Sequence, residues 1–341
     1  MTKKYLVTGG AGFIGSNFVH RLLSRGEDVI IYDNLSRSGS RINLKWLRET
    51  FGEKVQLVQG DIRDFEKLAT AIRGVDVVTH LAAQVAVTTS VTNPREDFEI
   101  NALGTFNVVE ASRLSGSNPV ILYASTNKVY GGMEEVRTRE MSTRYEYADH
   151  PLGIPETLGL DFHSPYGCSK GTGDQYVRDY ARIYNLPTVV LRQSCIYGPR
   201  QFGVEDQGWV AWFVIAAITG RPITIYGDGK QVRDILYVED LLNAYDLAIS
   251  QAKEKPGRVI NVGGGPLNTI SIWHEFGPML EELAGRKLTV SRGEWRPGDQ
   301  AVFISDIRRA GKELGWVPKI SPREGITRLF TWVSDHPEYF K

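Results

Sequence analysis

Tyr166 and Lys170 lie four residues apart in His163-Ser164-Pro165-Tyr166-Gly167-Cys168-Ser169-Lys170, at the start of a run with helical patterning. That spacing is about one helical turn, so both side chains project from one face. An ammonium beside a phenol favours the phenolate, and is expected to draw the tyrosine pKa down from about 10 toward the neutral range in which a general base works. The same spacing also fits an ordinary amphipathic helix with a half-buried Tyr and a solvated Lys. The chemistry therefore depends on what the rest of the chain brings to that face.

Gly9, Gly12 and Gly15 give the spacing G-x-x-G-x-x-G, between an apolar run from Lys4 to Thr8 that reads as a strand and a helical pattern from Ser16 to Arg25. A side chain in such a turn would keep the backbone away from a pyrophosphate, whose charge is then met by the amides that open the helix, those of Phe13 and Ile14 among them. The next strand, Asp28 to Tyr32, ends in Asp33, where a carboxylate accepts from the adenosine ribose hydroxyls and repels a 2′-phosphate. NAD is therefore expected in preference to NADP, with Asn34 in the same turn and Arg37 close behind, the latter working against that exclusion.

The elements that position these residues alternate. A strand at Val55 to Val58, a helix from Phe65 to Ile72, a strand at Val75 to Thr79, a helix from about Pro94 to Leu114 and a strand from Val120 to Ala124 predict a doubly wound parallel α/β sheet of the Rossmann type. Ligands of such sheets lie beyond the carboxyl ends of the strands. Three loops qualify: Asp61 and Ile62 for the adenine edge, Leu81, Ala82 and Gln84 for the middle of the cofactor, and Thr126 on the far strand, whose hydroxyl would hold a substrate oxygen while Tyr166 moves its proton. Asn101 and Gln193 complete the expected cofactor contacts.

After a helix to about Tyr184 and a strand from Thr188 to Leu191, the rhythm breaks. A helix from Trp209 to Ile218, a strand at Ile223 to Tyr226, a helix from Val238 to Ile249 and a strand from Arg258 to Val262 follow, then a further helix, a strand at Leu288 to Val290 and two helices near Ile307 to Leu314 and Pro322 to Asp335. The expected division is an NAD-binding domain of residues 1–197 plus about 234–266, and a smaller mixed α/β substrate domain of about 198–233 plus 267–341. In the latter, Arg233 and Arg296 are candidate bidentate phosphate ligands, although each also fits a surface ion pair.

With 341 residues, 40 acidic and 40 basic, the chain has room for a large core and offers no bulk charge to attract nucleic acid or an anionic membrane. Cys168 and Cys195 make no disulfide framework or zinc spacing, and the six histidines, His80, His163 and His274 among them, read as packing or surface residues rather than a metal cluster. The apolar start is too short for a signal peptide or a membrane span, so a cytoplasmic location is expected.

Taken together, Thr8 to Gly15, the Tyr166 and Lys170 pair and Arg296-Pro297-Gly298-Asp299 resemble the extended short-chain dehydrogenase/reductase superfamily over essentially the whole chain. The resemblance implies an NAD-dependent enzyme acting on a nucleoside diphosphate sugar, with Thr126, Tyr166 and Lys170 catalytic and Gln201, Gln207, Arg233, Arg296 and Asp299 holding substrate. The 4,6-dehydratases of the superfamily carry Asp-Glu directly after the Thr; here Asn127 and Lys128 stand there, which argues against elimination of water. Its 4-epimerases usually have Asn where this chain has Cys195. The runs from Asp161 to Gly171, Arg200 to Phe202 and Asp206 to Val210 are similar to the superfamily's 2-epimerases of CDP-linked dideoxyhexoses, an activity of lipopolysaccharide O-antigen biosynthesis. A UDP- or GDP-sugar 4-epimerase, a nucleotide-sugar reductase and a non-catalytic NAD-binding regulator remain as alternatives. Pairing through the helices at Pro94 to Leu114 and Tyr166 to Tyr184 would give a homodimer or homotetramer.

Overall fold

The apolar runs between the polar loops become strands buried on both faces. The computed structural model describes residues 2–296 and 299–340. Its main sheet contains β1 (Lys4–Thr8), β2 (Asp28–Asp33), β3 (Gln56–Gln59), β4 (Val77–His80), β5 (Val120–Thr126), β6 (Thr188–Gln193) and β7 (Arg258–Val262), in the order β7-β6-β5-β4-β1-β2-β3. β1 pairs in parallel with β2 and β4, β2 with β3, and β4 with β5. This is the doubly wound sheet that the alternation predicts. Strand order reverses at β1, so the loops leaving β1 and β4 diverge and open the crevice in which such sheets hold ligands. Thr8 and His80 face each other in register at those two strand ends.

Helices Phe13–Ser24, Phe65–Ile72, Gly104–Leu114 and Ser164–Tyr184 accompany the sheet, and a core of Leu6, Tyr32, Val78, Val108, Ile121, Tyr123 and Val177 packs among these elements. Helix Ser38–Phe51 is not among the elements expected from the sequence; weak helix formers, Ser38, Gly39 and Ser40, open it, and Leu44 and Leu47 are its buried apolar residues. The helix expected from Pro94 to Leu114 is interrupted by a π turn, Glu99–Leu103, between Pro94–Phe98 and Gly104–Leu114. The wider turn buries Asn101, and Gly104 follows because a Cβ there would come within 2.5 Å of the Ile62 side chain.

Contacts divide the chain into two units. The first contains the residues up to Val129, Ser164–Arg192 and Leu242–Ile260; the second contains Tyr130–His163, Gln193–Leu241 and the chain from Asn261 onward. The expected boundaries differ from these chiefly at Tyr130–His163, which joins the second unit through backbone pairing that periodicity does not reveal. Tyr145 N–H donates to the Lys230 carbonyl (3.0 Å), Ile154 N–H to that of Ile304 (2.7 Å), and the Tyr147 hydroxyl to that of Val302 (2.9 Å). The second unit also pairs Val232–Asp234 with Thr269–Ser271 and Val302–Phe303, and packs helices Trp209–Thr219, Phe276–Ala284 and Pro322–Asp335 around Val214, Phe276, Leu280 and Leu329. Among the described residues, no helix is long and apolar enough to cross a membrane.

Inside the first unit, Asp174 accepts from Arg192 Nε (2.9 Å) and Nη2 (3.0 Å) and from Ser125 Oγ (2.7 Å), and all three residues are buried. Removing one partner of a buried pair leaves the other charge uncompensated. Arg192→Leu is expected to lower stability by about 3–5 kcal/mol in denaturant titration. A loss under about 1 kcal/mol would show that Asp174 finds another counter-charge.

Candidate active site

The glycine turn is built by close approach. A Cβ on Gly9, whose φ is +68°, would lie 2.7 Å from Ala82 N, and a Cβ on Gly15 would overlap the Gly9 carbonyl. Gly12 is the N-cap of helix Phe13–Ser24, which has no side-chain cap and no acidic residue in its first turn, so its first amides and the positive end of its dipole remain available to an anion. Asp33, at the end of β2, is buried; its Oδ2 accepts from Ala11 N–H (3.0 Å) and its Oδ1 from Leu35 N–H (2.8 Å). Burial raises its pKa while those amides pull it back. Two of the carboxylate's lone-pair positions are thereby used and two are left for hydroxyl donors.

The neighbouring loop ends carry the other expected contacts. Asn34 Nδ2 donates to Asp61 Oδ2 (3.0 Å), and the Arg63 fork on the same carboxylate holds Asp61 down at about 2. Ile62 is buried and Arg37 is exposed. Leu81 and Ala82 follow β4 and donate their amides to Thr8 Oγ1, each at 3.2 Å. Gln84 and Asn101 clasp one another: Gln84 N–H donates to Asn101 Oδ1, and Asn101 Nδ2 to the Gln84 carbonyl, both at 2.9 Å.

Tyr166 and Lys170 stand in the first turns of helix Ser164–Tyr184, and both are buried. Thr126 closes β5, its hydroxyl donating to Asn127 Oδ1 (3.3 Å) and lying close enough to the Tyr166 phenol to draw its pKa down, so the three expected catalytic residues do converge. Lys170 Nζ donates to the Ala124 carbonyl at 2.7 Å and lies 4.4 Å from the centroid of the Tyr123 ring. Burial pushes the Tyr166 phenol up to about 12, the Thr126 hydroxyl countering in part and the Asp97 charge adding to the rise. Burial also draws the Lys170 ammonium down to about 7, against the pull of Asp174 and Asp97. The expected lowering of the tyrosine pKa by the lysine is therefore corrected for the protein alone: desolvation outweighs charge attraction, and the ammonium is turned toward Ala124 and Tyr123.

Three residues of this neighbourhood are absent from the sequence-based set. Asp174 lies one turn beyond Lys170 on the same helical face, and that spacing is the signal that could have found it. Ser125, next to Thr126, binds it. Asp97 carries no such signal; it is buried, with Oδ1 accepting from Gln84 Nε2 (2.9 Å) and Asn101 Nδ2 (3.0 Å), and burial raises its pKa.

In the second unit, Arg233 lies in strand Val232–Asp234, and its Nη2 meets Asp299 Oδ1 at 2.6 Å. Arg296 Nη2 pairs with Asp206 Oδ1 (2.9 Å) and its guanidinium covers the Tyr226 ring at 3.9 Å. Gln207 closes a turn by exchanging backbone hydrogen bonds with Val204, while Gln201 is buried, with its Nε2 donating to the Ile196 carbonyl (3.3 Å). Gln193 is buried at the end of β6. Pro297 and Gly298, the middle of the expected Arg296-to-Asp299 clamp, lie outside the described residues.

A family model for GDP-mannose 4,6 dehydratase matches residues 6–329. The chain belongs to that family. CDP-paratose 2-epimerase of Salmonella typhi is 45% identical over 339 residues, spanning 97% of this chain and 99% of that protein. Among solved structures, UDP-glucose 4-epimerase of Thermotoga maritima with UDP-glucose is similar at a TM-score of 0.82 and 31% identity, covering 98% of this chain and 99% of that one. The dTDP-glucose 4,6-dehydratase DesIV of Streptomyces venezuelae, with NAD bound, gives 0.84 and 28%, covering 99% and 100%. The resemblance to the extended short-chain dehydrogenase/reductases is thereby borne out, and members of both epimerase and dehydratase kind are similar along the full chain.

For a member of the GDP-mannose dehydratase family, the uncapped helix start, the close-packed glycines and the buried Asp33 fit a dinucleotide with a free ribose 2′-hydroxyl. At the catalytic face the pKa order has a consequence. Above about pH 7 the Tyr166 and Lys170 pair has lost one proton, and phenol with amine or phenolate with ammonium are two arrangements of that same state. The pair can then become base-competent without exchanging a proton with solvent. The pH dependence of kcat/KM is expected to rise through an apparent pKa near or below 7 that belongs to the pair, and to level off toward pH 9. A limb that rises only above about pH 9 would mean that the phenol titrates by itself.

Proposed function

We propose that this chain is an NAD-dependent nucleotide-sugar epimerase that inverts one hexose carbon through transient oxidation to a keto-sugar, with CDP-paratose converted to CDP-tyvelose at C2 as the preferred reaction. The observation that carries the chemistry is the convergence of the buried Thr126, at the end of β5, with the buried Tyr166 and Lys170 one helical turn apart. NAD, when bound, would supply a reversible hydride acceptor, and a hydride restored to the same carbon would leave no net redox. Tyr166 takes the proton from the sugar hydroxyl and gives it back, Lys170 holds the compensating positive charge, and Thr126 donates to the developing carbonyl. NAD would be held by Gly9, Gly12, Phe13, Ile14 and Gly15 at the pyrophosphate, Asp33 and Asn34 at the adenosine ribose, Asp61 and Ile62 at the adenine edge, and Leu81, Ala82, Gln84 and Asn101 along the middle, with Gln193 as a further contact. Arg233, oriented by Asp299, and Arg296 hold the diphosphate, with Gln201 and Gln207 as further substrate contacts. Inversion needs the other face of the ketone, so the hexose turns while the nucleotide stays held.

The C2 and cytidine assignments rest on the likeness to the Salmonella enzyme, and the preference for epimerisation over dehydration on Asn127 and Lys128 standing where the dehydratases carry an acid and a base. A cytoplasmic location and a part in O-antigen biosynthesis come with that reading. The test is incubation of the purified holoprotein with CDP-paratose, followed by NMR of the sugar protons and by absorbance near 340 nm, about where reduced nicotinamide absorbs. Epimer should accumulate with no absorbance change, and Tyr166→Phe should lower kcat by about 10²–10⁴-fold while NAD stays bound. Turnover of UDP-glucose alone would move the inverted carbon to C4, a net absorbance change would make the protein a reductase, and an inert NAD-bound protein would make it a regulator.

The same reading includes a dimer. Helix Ser164–Tyr184 and the segments around the π turn expose the large apolar side chains of Tyr176, Ile183, Phe98 and Leu103, which a pairing of copies through these helices would cover. Sedimentation is expected to report a dimer or a dimer of dimers, and Phe98→Glu with Ile183→Glu should shift it to monomer. A monomeric parent protein at micromolar concentration would remove the assignment.

A further inference from the structure

His80 ends β4 in register with Thr8 and is buried, as are Thr8, Thr105 and Asn101. The hydrogen bonds around it favour one tautomer. Thr105 Oγ1 spends its proton on the Asn101 carbonyl at 2.6 Å, so toward His80 it can only accept, and Nε2, 3.0 Å away, must carry a proton. On the other side Thr8 Oγ1 accepts the Ala82 amide and shares that of Leu81 with the Thr8 carbonyl (3.1 Å), which directs its own proton to a bare Nδ1 at 2.7 Å. Donation therefore runs one way, from the Leu81 and Ala82 amides through Thr8 to Nδ1, and from Nε2–H through Thr105 to Asn101. Asn101 in turn clasps Gln84 by two hydrogen bonds. The four-residue loop from Leu81 to Gln84 is thus held at both ends by the same relay, and the imidazole is the one member that spans it. The ring also stacks on Tyr123 (centroids 5.5 Å, 28° between planes), the ring that receives the Lys170 ammonium.

We propose that His80 is a positioning residue: as a neutral, Nε2-protonated imidazole it fixes the loop from Leu81 to Gln84 against the glycine turn and in register with Lys170, so that cofactor retention depends on it although it touches no reacting atom. Burial keeps the ring neutral, holding its pKa down at about 3, with the Lys170 charge adding to the effect. The close approach of Gly9 to Ala82 sets the tolerance, because a displaced loop closes or opens the turn on which the pyrophosphate would rest. The proposal rests on the NAD-dependent reading above.

The test uses the purified holoprotein and four variants: His80→Phe, Thr8→Val, Thr8→Ser and Thr105→Val. NAD retained per chain after gel filtration, the dissociation constant of added NAD, binding of CDP alone, and the split of kcat from KM are the readouts. Thr8→Val, Thr105→Val and His80→Phe are expected to weaken NAD binding by about tenfold or more, as loss of a buried hydrogen-bond partner does, with CDP binding and the sugar KM within about twofold of the parent. Thr8→Ser, which keeps the hydroxyl, should restore retention. Nitrogen-15 NMR of the parent should show one imidazole with protonated Nε2 and bare Nδ1, unchanged between about pH 6 and pH 9. A folded Thr8→Val protein that keeps NAD like the parent, or an Nδ1–H tautomer in the spectrum, overturns the proposal. If His80→Phe does not fold, the two Thr8 variants decide it. A parent protein with no affinity for NAD would instead sink the cofactor reading itself, a result separable from the tautomer measurement.

Discussion

An ammonium held almost entirely out of water sets the terms for the surrounding side chains. Lys170 is 4% exposed, and a charge so placed must find compensation within a few ångströms or give up its proton. Here both happen in part. The Ala124 carbonyl, the Tyr123 ring and the carboxylates of Asp174 and Asp97 support the charge, and desolvation still brings its pKa down to about 7. Asp174 in turn needs Arg192 and Ser125, and Asp97 needs Gln84 and Asn101. These neighbours come from β5, β6, the π turn and the loop after β4, so one buried amine connects helix Ser164–Tyr184 to the elements beside it in the first unit.

The parts of this arrangement that were legible in the sequence are those set by backbone periodicity. Glycine spacing, the strand-end position of Asp33 and the one-turn separation of Tyr166 and Lys170 follow from strand and helix repeats, which local sequence records. Thr126 could be placed because strand ends in a doubly wound sheet are where ligands lie. Asp174 obeys the same helical repeat and was readable in principle. Asp97, His80 and Thr105 were not, because their roles arise from strand register and from a π turn that no local pattern announces. The carboxylates that pair with Arg233 and Arg296 were equally hidden: Asp299 is 66 residues from Arg233, and Asp206 belongs to a different segment from Arg296. The tyrosine pKa was misjudged for a related reason, since charge attraction can be read from spacing while burial cannot.

A pair that holds one proton between a phenol and an amine suits the proposed epimerisation better than it would suit a net elimination. Epimerisation asks the protein to take one proton from an oxygen and later return it to an oxygen on the same carbon, with nothing left over. A phenolate with its counter-cation in a dry site can do both steps without calling on solvent. Eliminating water would need a second acid and base to move a proton from carbon and release a hydroxyl. Asn127 and Lys128 follow Thr126 at the start of a short 3₁₀ turn, and the Asn127 side chain serves only to accept from the Thr126 hydroxyl at 3.3 Å among the contacts described for it. An amide offers no titratable proton, so the acid that elimination requires is missing at the position that follows Thr126.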